Sequence, residues 1–295
     1  ARTRRRSVFS TLLGPLPPVG PSGDAIGDLV SSGLELISDG QAARLPGIDP
    51  AEAVALWRAA AQASPVPVKA VLVGPATAAR QAGTAPEAAA EELQPVIAAL
   101  AAAGCPIVEV AETDVLAIAD DEAARAGFVA AHRRLLEGCD GMHVSLALIG
   151  GDLDRAGPAT FFDLGYASFA FDLIAGPDNW RLITHAPGDR GIICGALDPR
   201  PGGDETRELL VWAAHYAAAS NGRGLDRVGL ANASPFVGVP RAEALRKLRI
   251  VADAARVAGI ASAAERAAHL DPRAVDARSA ALGRVEPKPR PRWRR

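Results

Sequence analysis

The sequence predicts an α/β chain closed into a (β/α)8 TIM barrel, and three observations carry that prediction. Eight short apolar runs recur along the chain. Segments with helical spacing of apolar residues separate most of them. Gly, Pro or Asp stands where several of the runs stop, which is where a turn belongs. Eight such units are the count of a closed barrel. Near-continuous hydrophobicity within the runs fits strands buried on both faces. The chain has 295 residues, of which 49% are hydrophobic. That is enough apolar material for a large core, and it excludes disorder over most of the length. A doubly wound sheet competes, but no glycine-rich dinucleotide turn follows a first strand and no phosphate loop is present.

The elements follow in order. Strand runs are expected over 7–13, 34–38, 67–73, 106–110, 142–148, 168–173, 191–197 and 227–231. Gly14-Pro15, Asp39-Gly40 and Gly74-Pro75 stop the first three. Helices are expected over 24–32, 50–63, 86–103, 120–137, 205–219 and 240–257, with a shorter one before 271. Asp49-Pro50 suits a helix start, because Pro is tolerated in the first turn. Gly104 ends the helix over 86–103. Phe161, Phe162 and Tyr166 fall in a less regular stretch, where they, with Trp180, either cap a pocket or pack under a long loop.

The formal net charge is -2, but it is unevenly spread. Residues 1–6 hold four arginines, and 284–295 hold five more plus Lys288 against one acid, Glu286. The sequence thus divides into a basic arm (1–6), a single acidic barrel domain (7–282) and a basic Pro/Arg-rich tail (283–295). The acidic body and the lack of a recognised nucleic-acid module argue against nucleic-acid binding. The basic ends could instead clamp onto an acidic surface of a second copy or of a partner protein. Cys105, Cys139 and Cys194 are scattered and odd in number, which fits a reducing cytoplasm better than a disulfide framework. No run is long enough to span a membrane.

In a barrel, chemistry sits at the C-terminal ends of the strands. The turn sequences Gly33-Leu34-Glu35-Leu36-Ile37-Ser38-Asp39-Gly40-Gln41, Pro67-Val68-Lys69-Ala70-Val71-Leu72-Val73-Gly74-Pro75-Ala76-Thr77 and Gly195-Ala196-Leu197-Asp198 recur in order. Through them the chain resembles the catalytic barrel of the cobalamin-independent methionine synthases, in the uroporphyrinogen decarboxylase-like superfamily. The resemblance runs over roughly residues 8–255. It implies a small-molecule enzyme, methyltransferase-like, with a methyl-donor folate as the implied cofactor.

The same resemblance implies a zinc held by His, Cys, Glu and Cys. Here His143-Val144-Ser145 matches the first two positions, Asp172 the carboxylate and Ser234, in Asn232-Ala233-Ser234-Pro235, the last. Both thiolate positions therefore hold serine, whose hydroxyl does not readily ionise. Zinc held by thiolates is not expected, and the site reads as a degenerate one. Cys194 precedes the seventh-strand turn and could approach the mouth.

The catalytic candidates are His143, Asp172 and Glu112. Asp172 sits in an apolar run and needs a partner, for which His143 on the neighbouring strand is the natural choice. Glu112 follows the fourth strand and could grip an amino group. Asp39, Glu109, Ser145, Asp198, Asn232 and Ser234 are the substrate-binding candidates. Lys69, inside the third strand, reads as a structural residue pointing outward and snorkelling under the helices. Four of these groups, Glu112, His143, Asp172 and Asp198, should share a polar pocket at the mouth. The functions in view are zinc-independent methyl transfer, a metal-independent lyase or decarboxylase, and a non-catalytic ligand-binding or partner protein.

Overall fold

A computed structural model describes residues 8–17, 24–39, 44–113, 115–202 and 206–271. The basic arm and tail, and Gly40 and Gln41 of the second turn, lie outside these residues. Eight parallel strands form the barrel: β1 (Phe9–Ser10), β2 (Ile37–Ser38), β3 (Val68–Val73), β4 (Val108–Glu112), β5 (Val144–Leu148), β6 (Ser168–Asp172), β7 (Gly191–Leu197) and β8 (Val228–Asn232). They pair in the order β1-β8-β7-β6-β5-β4-β3-β2. The Leu36 N–H donates to the Ser10 carbonyl at 3.0 Å, which joins the two ends of that order.

The helices cover the outside. They are α1 (Ala25–Ser31), α2 (Pro50–Gln62), α3 (Pro75–Ala82), α4 (Pro86–Ala102), α5 (Leu116–Asp120), α6 (Glu122–Leu135), α7 (Ala159–Phe162), α8 (Asn179–His185), α9 (Arg207–Ala219), α10 (Arg241–Ala258) and α11 (Ala263–Ala268). Local sequence starts several of them. The Asp49 carboxylate accepts from the Ala51 and Glu52 N–H groups, with Pro50 in the first turn of α2. Asp121 caps α6 in the same way. The Ser262 hydroxyl accepts from the Glu265 N–H at the start of α11.

Alternation along each strand divides the core in two. Outward residues such as Val68, Ala70, Leu72, Val108, Val110 and Leu146 pack beneath the helices. Phe161, Phe169, Phe171 and Tyr166, all fully buried, belong to that same layer. Inward residues Leu13, Val71, Ala111, Ala147, Ile149 and Ala170 form a smaller apolar plug inside the barrel. That plug separates the two ends of the barrel, and the site is best described from it outward.

Candidate active site

At the C-terminal end, the two carboxylates Asp172 and Asp198 lie on neighbouring strands. Asp172 is the last residue of β6 and is buried. Its Oδ1 accepts from the Ile174 and Ala175 N–H groups at 3.0 and 2.8 Å, and Oδ2 from the Gly150 N–H at 3.3 Å. Burial raises its pKa; the three N–H donors oppose the shift, and the nearby Asp198 charge adds to it. Asp198 directly follows β7. Arg200 grips it with Nε at 2.9 Å from Oδ1 and Nη2 at 2.6 Å from Oδ2. That guanidinium holds the Asp198 carboxyl below its ordinary pKa. Lys247, reaching in from α10, donates to the Asp198 carbonyl at 2.9 Å. At the same end, but lined by none of these groups, is a small hollow of about 70 Å³, walled by Val71, Val73, Ala111 and Ile149 with Ser38 and Thr113.

Glu112 corrects the expectation placed on it. It shares the outward parity of Val108 and Val110, so its side chain enters the helix layer instead of the mouth. Its carboxylate accepts from the Ala76 and Thr77 N–H groups at 2.9 and 2.7 Å. Those are orphan donors at the start of α3, which has no side-chain cap of its own. Thr77 Oγ1 donates to Glu112 at 2.5 Å and accepts from the Thr113 N–H at 2.9 Å. His132 Nε2 lies 3.0 Å from Glu112 Oε1, and His132 Nδ1 lies 2.5 Å from the Tyr166 hydroxyl. Burial holds the Tyr166 phenol protonated. The carboxyl packs so closely over Gly74 that a Cβ there would fall 2.2 Å from it.

His143 also corrects its expectation. It precedes β5 and so stands at the N-terminal end of the barrel. Its Nε2 lies 2.8 Å from Ser168 Oγ. Asp172 ends β6 four residues after Ser168, roughly 13 Å along the strand, so the expected His143–Asp172 pair does not form. Glu109 and Ser145 lie at the same N-terminal end as His143, well below the mouth. Lys69 points inward, not under the helices, and pairs with Glu109 at 2.5 Å.

The remaining candidates divide similarly. Asp39 lies behind the barrel wall, ion-paired with Arg44. Asn232 is a seam clasp: it accepts from the Leu13 N–H at 3.0 Å and donates to the Leu13 carbonyl at 2.7 Å, as a backbone neighbour would. Ser234 stays near the mouth, and its carbonyl accepts from Asn232 at 2.9 Å. Cys194 is fully buried, faces the Ala213 carbonyl of α9 rather than the mouth, and has its thiol pushed up to about 12.

The residues matched to a zinc site therefore do not converge. His143 and Ser145 are at one end of the barrel, and Asp172 and Ser234 at the other. Among the described residues no group of three or more His, Cys, Asp or Glu is placed to hold a metal ion. This donor set does not fit a thiolate-bound zinc. Among the same residues, no helix is long and apolar enough to cross a membrane.

No protein-family model and no curated protein matches the chain. Solved structures do. A B12-independent methionine synthase from Shewanella sp. W3-18-1, in complex with selenomethionine, superposes with a TM-score of 0.70. It is 15% identical, over 85% of this chain and 97% of that one. The chain has the fold of the B12-independent methionine synthases. A Listeria monocytogenes protein described as a candidate vitamin-B12 independent methionine synthase gives a TM-score of 0.59 at 16% identity, over 78% of this chain and 83% of its own. The barrel is shared more widely. D-allulose 3-epimerase from Methylomonas sp., in complex with D-allulose, gives 0.51 at 15% identity, over 86% and 94%. At these identities the likeness is one of fold.

Arg200, His132 and Thr77 are the groups that sequence reasoning missed. Arg200 stands two residues after Asp198, within reach of a shared turn, and that spacing was a usable signal. His132 lies mid-helix, where nothing in the sequence marks it.

Proposed function

We propose that the protein is a barrel enzyme carrying out metal-independent acid–base chemistry on a small anionic substrate at its C-terminal mouth. The observation that carries this reading is the placing of Asp172 and Asp198 at adjacent strand ends, one buried among backbone N–H groups and the other gripped by Arg200. Two carboxyls pushed apart in pKa on adjacent strand ends form an acid and a conjugate-base partner. Asp172, raised by burial, is the proton donor. Asp198 stays ionised against Arg200, whose guanidinium is 75% exposed and offers an anion its charge. In a decarboxylation the bond from carbon to carboxylate breaks, CO2 leaves, and Asp172 gives its proton to the carbon that keeps the electron pair.

Methyl transfer is the second reading, favoured by the likeness to the selenomethionine-bound barrel. There a folate-type donor gives its methyl group to an acceptor other than a zinc-activated thiol, and Asp172 protonates the donor nitrogen that loses it. The test is turnover by the purified protein in the presence of a chelator. One assay reads CO2 release from a panel of small carboxylic acids; the other reads methyl transfer from methyltetrahydrofolate to thiol and amine acceptors. Product in either assay, lost in Asp172→Asn, supports the enzyme. No product in both returns the barrel to a non-catalytic binding role.

A further inference from the structure

The N-terminal end of the barrel contains a second, larger cavity. It measures about 270 Å³ and opens between the strand starts. Lys69, Glu109 and Ser145 form its floor, and His143, Asp189 and Asp226 stand at its rim. This end of a barrel ordinarily serves stability and is filled by bulky side chains. Here four inward positions are small: Ser145, Ser168, Gly191 and Gly229. Gly229 is required, because a Cβ there would fall 2.5 Å from the Phe9 ring.

The polar groups of the floor are only partly satisfied. Lys69 Nζ donates to the Leu12 carbonyl at 2.6 Å and to Glu109 Oε2 at 2.5 Å. The other carboxylate oxygen, Glu109 Oε1, has no hydrogen-bond partner among the described residues, and neither has Ser145 Oγ. Glu109 is 1% exposed and Ser145 is 0%. Leaving such a group unpaired forfeits its hydration with nothing in return, and folded proteins rarely do so without a reason. Both residues line the cavity.

We propose that this cavity binds a small neutral polyol, at a site separate from the mouth and independent of the chemistry assigned there. Charge decides the class. The Lys69–Glu109 pair is already neutral, so a cation seated at Glu109 Oε1 would also meet the Lys69 ammonium. An anion would meet Glu109 below and, at the rim, Asp189 and Asp226 with Arg227 offsetting one of the two. A hydroxyl donates to Glu109 Oε1 at no such cost, and Ser145 can both donate and accept. The Phe9, Leu36, Ile107 and Ile193 walls suit the C–H faces of the same ligand. The volume lies just below the usual range for small-molecule pockets, which limits the ligand to about six carbons.

The competing occupant is ordered water, which would satisfy the same atoms. Titration calorimetry and ligand-observed NMR on the full chain separate the two, with xylitol and myo-inositol as probes and putrescine and inorganic phosphate as charged controls. The expected result is saturable binding of at least one polyol and of neither control. Ser145→Ala should weaken it about tenfold. Ser145→Leu, which fills the cavity, and the double variant Lys69→Met/Glu109→Leu, which replaces a buried pair by apolar groups of similar size, should each abolish it with the circular dichroism spectrum retained. Asp172→Asn, at the far end, should bind as the parent does. No saturable polyol binding means water alone and overturns the proposal. So does tighter binding of putrescine or phosphate, or polyol binding that survives in a folded cavity-filled or double variant.

Discussion

The two ends of this barrel use charge differently. At the N-terminal end, Lys69 and Glu109 are 1% exposed and paired inside the barrel. At the C-terminal end, Asp198 meets an arginine that is largely in solvent, and Asp172 is held by backbone N–H groups. The apolar plug around Val71, Ala111 and Ala147 keeps the two systems apart. A charge enclosed with its counter-ion is fixed by that partner. A carboxyl held by N–H donors can still gain or lose its proton. On the two proposals above, one end serves stability and ligand retention, and the other proton chemistry.

The largest effect should come from breaking the enclosed pair. Glu109→Ala strands the Lys69 ammonium inside the barrel, and removing one partner of a buried pair typically costs about 3–5 kcal/mol. Urea unfolding followed by circular dichroism measures it. Lys69→Met/Glu109→Leu should recover most of the loss, since no uncompensated charge remains. If Glu109→Ala unfolds at the parent's urea midpoint, the pair is not enclosed as described and the contrast between the ends fails.

Asp172→Asn comes next. Its Oδ1 can still accept from Ile174 and Ala175, so the expected stability cost is about 1 kcal/mol, one hydrogen bond's worth. The loss of an acid should show in turnover, by about 100-fold or more. Equal turnover in the variant would remove Asp172 from the chemistry while leaving its structural bonds in place.

The eight strands and the long helices were legible in the sequence because burial on both faces and helical periodicity leave local traces. The short helix α3 was not. Its N-terminal cap is Glu112, 35 residues beyond Thr77, so nothing local announces it and Gly74-Pro75 reads as a plain turn. The direction in which each site residue faces was legible only by parity. A shift of one residue sends a side chain to the other face of the wall, and that separates inward Glu109 from outward Glu112. His143 was misplaced for another reason. The apolar run over 142–148 already puts it at a strand start, while the matched His-Val-Ser segment drew it towards the mouth. Asp198 stands where an apolar run stops, whereas Asp172 falls inside the run over 168–173, so nothing local marks its place at the strand end; Lys69 turned inward because an interior acid was there to receive it.

The smallest effect expected is on the proton balance of the mouth, and its sign is distinctive. Asp172 has a folded pKa above its ordinary 3.8. The native state therefore binds that proton more tightly than the unfolded chain does. Its contribution is fully present below pH 3.8 and is lost as the pH rises through the folded value. Asp198 is shifted the other way by Arg200, so its contribution is present above 3.8 and is lost as the pH falls through its lowered folded value. Relative to the parent, Asp172→Asn should thus gain stability as the pH rises through the first window. Arg200→Ala should lose its deficit as the pH falls through the second. Because that guanidinium is largely in solvent, the Arg200→Ala change at neutral pH should scarcely move the urea midpoint. Differences of the same sign in both variants would mean that the two carboxyls are not tuned in opposite directions, and the acid–base division at the mouth would go with them.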